Sequence, residues 1–197
     1  MSHHPSARAW TLRETVVVAV IGLVFAALYL GWVQVWLIAQ ALFGPITMDV
    51  VMGFWFAASF VAAAIIRKPG VAFAAEVLAA GAQILLGSPA GLILILTGIV
   101  QGAGAEAVLA LFRWRRFDRL ALMLGGMGAA VFSFAYTWVR FDYGQLEPGL
   151  LIAMFALRCV SGAVLGGLLG WWIAERLRRT GALQGLAIDR AARAGAA

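Results

Sequence analysis

The sequence predicts an all-α membrane protein, a bundle of six transmembrane helices with both termini on the cytoplasmic side. Three observations carry that reading. Of 197 residues, 63% are hydrophobic and only 12% charged, whereas a soluble domain is about half apolar and about a quarter charged; the mean hydropathy is +0.94. Apolar runs of membrane-crossing length alternate with short polar punctuation. The basic residues gather on alternate loops.

Taken in order, the first run extends from about Thr15 to Phe43 and stops at Phe43-Gly44-Pro45. Its length and the lack of a small-residue cleavage site set it apart from a removed signal peptide. The second, about Ile46 to Ile66, ends at Arg67-Lys68-Pro69-Gly70. The third, Val71 to Leu86, is the shortest, contains Glu76 and ends at Gly87-Ser88-Pro89. The fourth runs from about Ala90 to Phe112, the fifth from about Leu120 to Val139, and the sixth from about Gly149 to Ala174. Five spans with a re-entrant third segment is the alternative count. The expected organisation is a cytoplasmic N-terminus over 1–12, the helical domain over 13–176 and an Ala/Arg-rich, partly helical cytoplasmic tail over 177–197 with no domain of its own.

Orientation follows from charge. With six spans, Arg8, Arg13, Arg67, Lys68, Arg113, Arg115, Arg116, Arg119, Arg176, Arg178, Arg179, Arg190 and Arg193 share one side, and only Arg140 faces the other. That side is cytoplasmic by the positive-inside rule. The same asymmetry accounts for the pI near 10.7 through topology and anionic lipid, with no nucleic-acid role.

The inventory excludes several chemistries. The single cysteine, Cys159, forms no internal disulfide, and the only histidines, His3 and His4, stand at the N-terminus; no metal site and no cofactor is expected. No phosphate-loop motif is present. None of the aspartates, Asp49, Asp118, Asp142 and Asp189, lies deep in a span, so an intramembrane enzyme is poorly supported.

Ionisable groups within spans are costly and call for a reason. They are Glu76 in span three, Glu106 in span four and Arg158 in span six, accompanied by Gln83, Gln101 and Tyr136. Glu76 and Gln83, seven apart, share one face of their helix. Trp36 and Trp55 lie toward the outer border. The functional reading is an outward-facing pocket for a small heteroaromatic solute, lined by Glu76, Gln83, Gln101, Trp55, Tyr136, Arg158, Trp36 and Glu106. The structural reading makes Glu76, Glu106 and Arg158 interhelical ties; for Glu106 and Arg158 the two stand level, and for Glu76 the functional one is preferred. Glycine ridges, Gly162-xxx-Gly166-xxx-Gly170 and Gly98-xxx-Gly102, serve packing within the bundle, and Gly22-xxx-Ala26 on span one is a candidate docking patch.

The order of motifs also resembles a known family. Phe43-Gly-Pro45, Gly53-Phe-Trp55, Ile65-Ile-Arg-Lys-Pro-Gly70 followed by Glu76, Leu85-Leu-Gly-Ser-Pro-Ala-Gly91, Gly98-Ile-Val-Gln-Gly-Ala-Gly-Ala-Glu106 and Leu157-Arg-Cys-Val-Ser-Gly162 are similar to the substrate-binding S components of energy-coupling-factor (ECF) vitamin transporters. The likeness is to the YkoE type, linked to thiamine and its hydroxymethylpyrimidine precursor. The resemblance implies a six-helix bundle that binds vitamin near the outer face. It further implies a transmembrane T component and two cytoplasmic ATPases as partners, and no catalysis by this chain. It also implies that a small-residue patch on span one docks the T component, here Gly22 and Ala26 with Ala19 nearby. The competing function is a stand-alone proton- or ion-coupled carrier with Glu76 or Glu106 as its proton site, against which no internal repeat is visible.

Overall fold

The computed structural model describes residues 9–44 and 46–194; His3, His4, Arg8 and Pro45 lie outside them. Among the described residues every regular element is helical. Helix α1 (Leu12–Phe43) starts at a capping box. Thr11 Oγ1 accepts the Glu14 N–H at 3.3 Å, and a Glu14 carboxylate oxygen accepts the Thr11 N–H at 2.7 Å, which satisfies donors the first turn would otherwise leave free. The same carboxylate pairs with Lys68 at 2.7 Å, tying the start of α1 to the turn that follows α3.

A second continuous course descends through α2 (Thr47–Val51), a 3₁₀ turn over Met52–Phe56 and α3 (Ala57–Ile66). All ten residues of α3 are buried. Apart from Ser59 its sequence, AASFVAAAII, is apolar all round and mostly small-chained, the pattern of a helix enclosed by others. Helices α4 (Val71–Leu85), α5 (Ile93–Leu111) and α6 (Arg119–Arg140) follow. The last course comprises α7 (Pro148–Ser161), a wider π-type segment Gly162–Leu168 and α8 (Leu169–Arg179). Five of these courses are long and apolar enough to cross a membrane. The sixth, α4, has 15 residues and spans about 22 Å at 1.5 Å per residue.

The courses alternate in direction. The proximal end carries the start of α1, the end of α8 and the turns at 67–70 and 112–118; the distal end carries the end of α1, the start of α2 and the turns at 86–92 and 141–147. Apart from Arg8, every residue of the predicted basic set sits at the proximal end, and Arg140 sits at the distal end. The tail is partly helical and packs on the bundle. It forms a further helix, α9 (Ala187–Ala194), and buries Leu183, Leu186 and Ile188 in the core beside α3. Three well-spaced apolar side chains in an otherwise polar tail are enough to fold it back.

Backbones meet where glycine allows. A Cβ on Gly126 would collide with the Gly162 carbonyl, and one on Gly162 with the Gly126 carbonyl, so α6 and the π-type segment touch main chain to main chain. On α5, Gly98 and Gly102 press on α4 at Ala80 and Phe73, and Gly104 presses on the α6 backbone at Gly128. Gly22 is also spent internally. It is buried with Ala26, and a Cβ there would stand 2.9 Å from that of Leu78 on α4. Two of the three predicted docking residues are therefore covered by the chain itself, and only Ala19 is exposed.

Gly162→Ala is expected to lower stability by about 1–3 kcal/mol, the range for overpacking. Gly31→Ala, where no atom lies within 4 Å, should not lower it. Thermal unfolding of the two variants in detergent checks the contrast.

Candidate functional site

Between α1, α2–α3, α4 and α5 lies a cavity of about 360 Å³ whose rim reaches the distal end, within the size range of small-molecule sites. Helix α1 contributes Val33, Trp36 and Leu37, and the course of α2 contributes Met48, Met52 and Trp55. Helix α4 gives Glu76, Ala80 and Gln83; α5 gives Leu94, Thr97, Gly98 and Gln101. The rim is formed by Ser88, Pro89, Ala90, Arg140 and Phe141.

Glu76 is the one carboxylate on this wall. It is 2% exposed, and all its protein partners engage a single oxygen. Ser59 Oγ donates to Oε2 at 3.1 Å and Tyr29 Oη at 3.5 Å. The phenol is itself aimed by the Ala58 N–H, which donates to it at 2.9 Å. Oε1 accepts no hydrogen bond from the described residues. One oxygen is thus anchored, and the other has no hydrogen-bond donor among the described residues. Gln83 makes no side-chain hydrogen bond to the described residues, while the Gln101 amide nitrogen lies 3.9 Å from the Met52 sulfur. Trp36 and Trp55 meet edge to face, with centroids 6.4 Å apart and planes at 80°. Five of the predicted residues, Glu76, Gln83, Gln101, Trp36 and Trp55, therefore converge on one cavity.

Three predicted residues do not reach it. Arg158 is fully buried elsewhere. Its Nε donates to Asp49 Oδ1 at 2.6 Å, and Nη1 donates to Thr137 Oγ1 at 2.6 Å and Ser133 Oγ at 3.4 Å, with the Phe134 ring 5.0 Å away. It ties α7 to α2 and α6. Glu106 caps α4 instead. Its carboxylate accepts N–H bonds from Gly70 at 2.6 Å, Ala72 at 3.1 Å and Phe73 at 3.3 Å, and one from Trp114 Nε1 at 2.6 Å, so it neutralises the donors exposed at a helix start. Tyr136 is half-buried on α6, where its hydroxyl accepts from Arg140 at 3.4 Å.

Sequence reasoning missed Asp49, Met48, Met52 and Arg140. Asp49 is completely buried although it stands near a predicted span end. The signal for it was Arg158, since an arginine at mid-span needs an acid partner. Ser161 strengthens the same junction, with its hydroxyl donating to the Val50 carbonyl at 2.6 Å and accepting the Gly53 N–H at 2.9 Å. Together these bonds hold the segment that presents Met48, Met52 and Trp55 to the cavity.

Comparison with known proteins gives a consistent result. Residues 13–132 match the family model described as the permease component of an ABC-type cobalt transport system. A Bacillus subtilis (strain 168) protein called a putative HMP/thiamine permease, YkoE, is 42% identical over 183 residues, covering 93% of this chain and 92% of that one. The chain belongs to the YkoE family of ECF-transporter S components. A solved structure described as an S component of an ECF transporter superposes with a TM-score of 0.91 at 41% identity, covering 95% of both chains. The family assignment made from the motifs is thus upheld, together with the all-helical membrane fold and a role in transport.

The buried pair at this junction makes a testable demand. Arg158→Met leaves Asp49 buried without its partner and should cost about 3–5 kcal/mol. Arg158→Met combined with Asp49→Leu should recover a large part of that loss. Unfolding midpoints of the single and double variants give the coupling directly.

Proposed function

We propose that this chain is the ligand-capturing subunit of an ECF-type importer, that it sits in a bacterial plasma membrane with both termini in the cytoplasm, and that it takes up thiamine or hydroxymethylpyrimidine through its distal end. The observation that carries the ligand reading is Glu76, anchored through one oxygen and free at the other, on a wall shared with two amides and two indoles. An aminopyrimidine presents an N–H donor beside a ring-nitrogen acceptor. The carboxylate reads the donor, and the amide of Gln83 or Gln101 reads the acceptor. Trp36 or Trp55 offers a face to the ring or to a thiazolium cation. The ligand named for the Bacillus relative supports the same pair of compounds.

The basic proximal end supports the orientation. Family membership supports a transmembrane T component and two cytoplasmic ATPases as partners. On α1 the docking face is then the exposed one that includes Ala19, Leu23 and Ala27, not the buried Gly22–Ala26 ridge. The chain makes and breaks no covalent bond. It captures on one side and releases on the other when the partner's ATP cycle changes the relative free energy of its states.

Titration of the purified chain with thiamine and with hydroxymethylpyrimidine should give a saturable change in tryptophan fluorescence; no saturable response to either compound refutes the reading. Glu76→Gln should weaken binding about tenfold or more, the effect of losing a hydrogen bond to a charged group. An unchanged Kd would assign Glu76 to packing. Uptake into vesicles by the chain alone, without ATPases, would point to the self-sufficient carrier.

A further inference from the structure

Among the acids of the bundle Glu76 is held in its own way. Asp49 pairs with Arg158 and Glu14 with Lys68, while Glu106 sits on backbone N–H groups. No lysine or arginine among the described residues pairs with Glu76. Its protein donors, Tyr29 Oη from α1 and Ser59 Oγ from α3, both address Oε2. Oε1 accepts no hydrogen bond from the described residues, yet it is not sealed in like the unpartnered atoms Trp36 Nε1, Asp49 Oδ2 and Arg158 Nη2. Its accessible surface opens on the cavity that Glu76 lines, a lining to which neither Tyr29 nor Ser59 belongs.

The two donors are unequal. Ser59 has one hydroxyl hydrogen and two acceptors for it, the Ala72 carbonyl at 2.9 Å and Oε2 at 3.1 Å. Tyr29 has one acceptor among the described residues. Its hydroxyl takes the Ala58 N–H at 2.9 Å, which leaves the O–H to point at Oε2, 3.5 Å away. Bonds chained in this way polarise one another. The phenol is fully buried, and the Phe25 and Phe54 ring centroids, 5.6 Å and 5.9 Å from its own, hold it in place. At 3.5 Å the bond is long, so its effect is directional. The last torsion of a glutamate side chain is broad and two-fold, and a donor fixed behind one oxygen selects the orientation in which the other meets the cavity.

We infer that Tyr29, assisted by Ser59, is a positioning residue for ligand recognition: acting through Glu76 from behind the cavity wall, it fixes Oε1 toward the ring amine and sets how strongly the site selects aminated over unaminated rings. The inference rests on the ligand reading given above and deepens it. A charge-assisted hydrogen bond adds energy only in the right geometry, and a carboxylate already aimed loses less freedom when the amine arrives. Selectivity for the amine therefore resides partly in a phenol outside the cavity lining.

The test is calorimetric titration of the full chain in detergent with hydroxymethylpyrimidine and with its analogue carrying hydrogen in place of the amine. The proteins are wild type, Tyr29→Phe, Ser59→Ala, Glu76→Gln and Tyr29→Phe combined with Glu76→Gln. Wild type should prefer the amine about tenfold, the order of one hydrogen bond to a charged group. Tyr29→Phe keeps the ring and removes the hydroxyl. It should lower that preference about threefold, the order of ordering one side chain on binding, and leave the Kd of the unaminated analogue unchanged. Ser59→Ala should shift the preference the same way. With Glu76→Gln already present, Tyr29→Phe should change it no further, because Tyr29 acts through that carboxylate. A packing role weakens both compounds alike, so an unchanged preference in Tyr29→Phe, or a further fall in the double variant, overturns the inference and leaves the ligand reading standing. If Tyr29→Phe does not fold, because the Ala58 N–H is left unpaired, Ser59→Ala decides: a lowered preference supports the inference and an unchanged one overturns it. A wild-type preference near one removes Glu76 from amine recognition and overturns it too. Failure of wild type to bind either compound or thiamine overturns the ligand reading and this inference with it.

Discussion

The ion pair between Arg158 and Asp49 is the constraint on which the site depends. Two charges removed from water are costly, and their attraction offsets that cost only where geometry is close and the remaining donors and acceptors are satisfied. Thr137 and Ser133 supply part of that satisfaction here. Such a pair contributes less to net stability than to uniqueness. Asp49 has one partner of opposite charge at its depth, so α2 can occupy one register against α6 and α7. Met48 and Met52 flank that aspartate on the same short segment, and Trp55 follows within the 3₁₀ turn. The wall of the cavity is thus set by a contact between two residues that do not line it.

Around this junction the bundle is closed by small residues rather than by interlocking large ones. Helix α3 is buried on all sides because alanines let its neighbours come near, and Gly126 and Gly162 bring two backbones together. Dispersion between closely approaching helices is the association force available within lipid, where apolar burial gives little advantage. The cavity lies where Trp36 and Trp55 meet at a steep angle and where α4 gives way to the turn at 86–92, whose Ser88, Pro89 and Ala90 form part of the rim.

The fold was largely legible because hydropathy and loop chemistry are local signals. The helical segments lie within a few residues of the runs read from composition. Glu76, Gln83 and Gln101 were legible for a related reason, since a polar side chain on an otherwise apolar helix must face inward. Inward, however, does not specify a neighbour. Glu106 and Arg158 obeyed the same rule and went to other partners. Those of Glu106 are mainly backbone N–H groups, which carry no signature in the sequence. That of Arg158 was Asp49, hidden by its position near a span end. Gly22-xxx-Ala26 had the letters of a docking ridge, but spacing cannot tell an external partner from α4 of the same chain. The fold-back of α9 rests on three apolar residues, too few to register as a pattern.

The shortness of α4 has a consequence for the lipid around it. A helix of 15 residues reaches about 22 Å, whereas the hydrocarbon layer is about 30 Å thick. Headgroups beside a mismatched helix are drawn inward and the leaflet dimples. The turn that ends α4 carries Ser88 and borders the mouth of the cavity, so the dimple brings the aqueous phase down to meet it. A hydrophilic solute entering through such a local depression in the bilayer surface has little oil to cross.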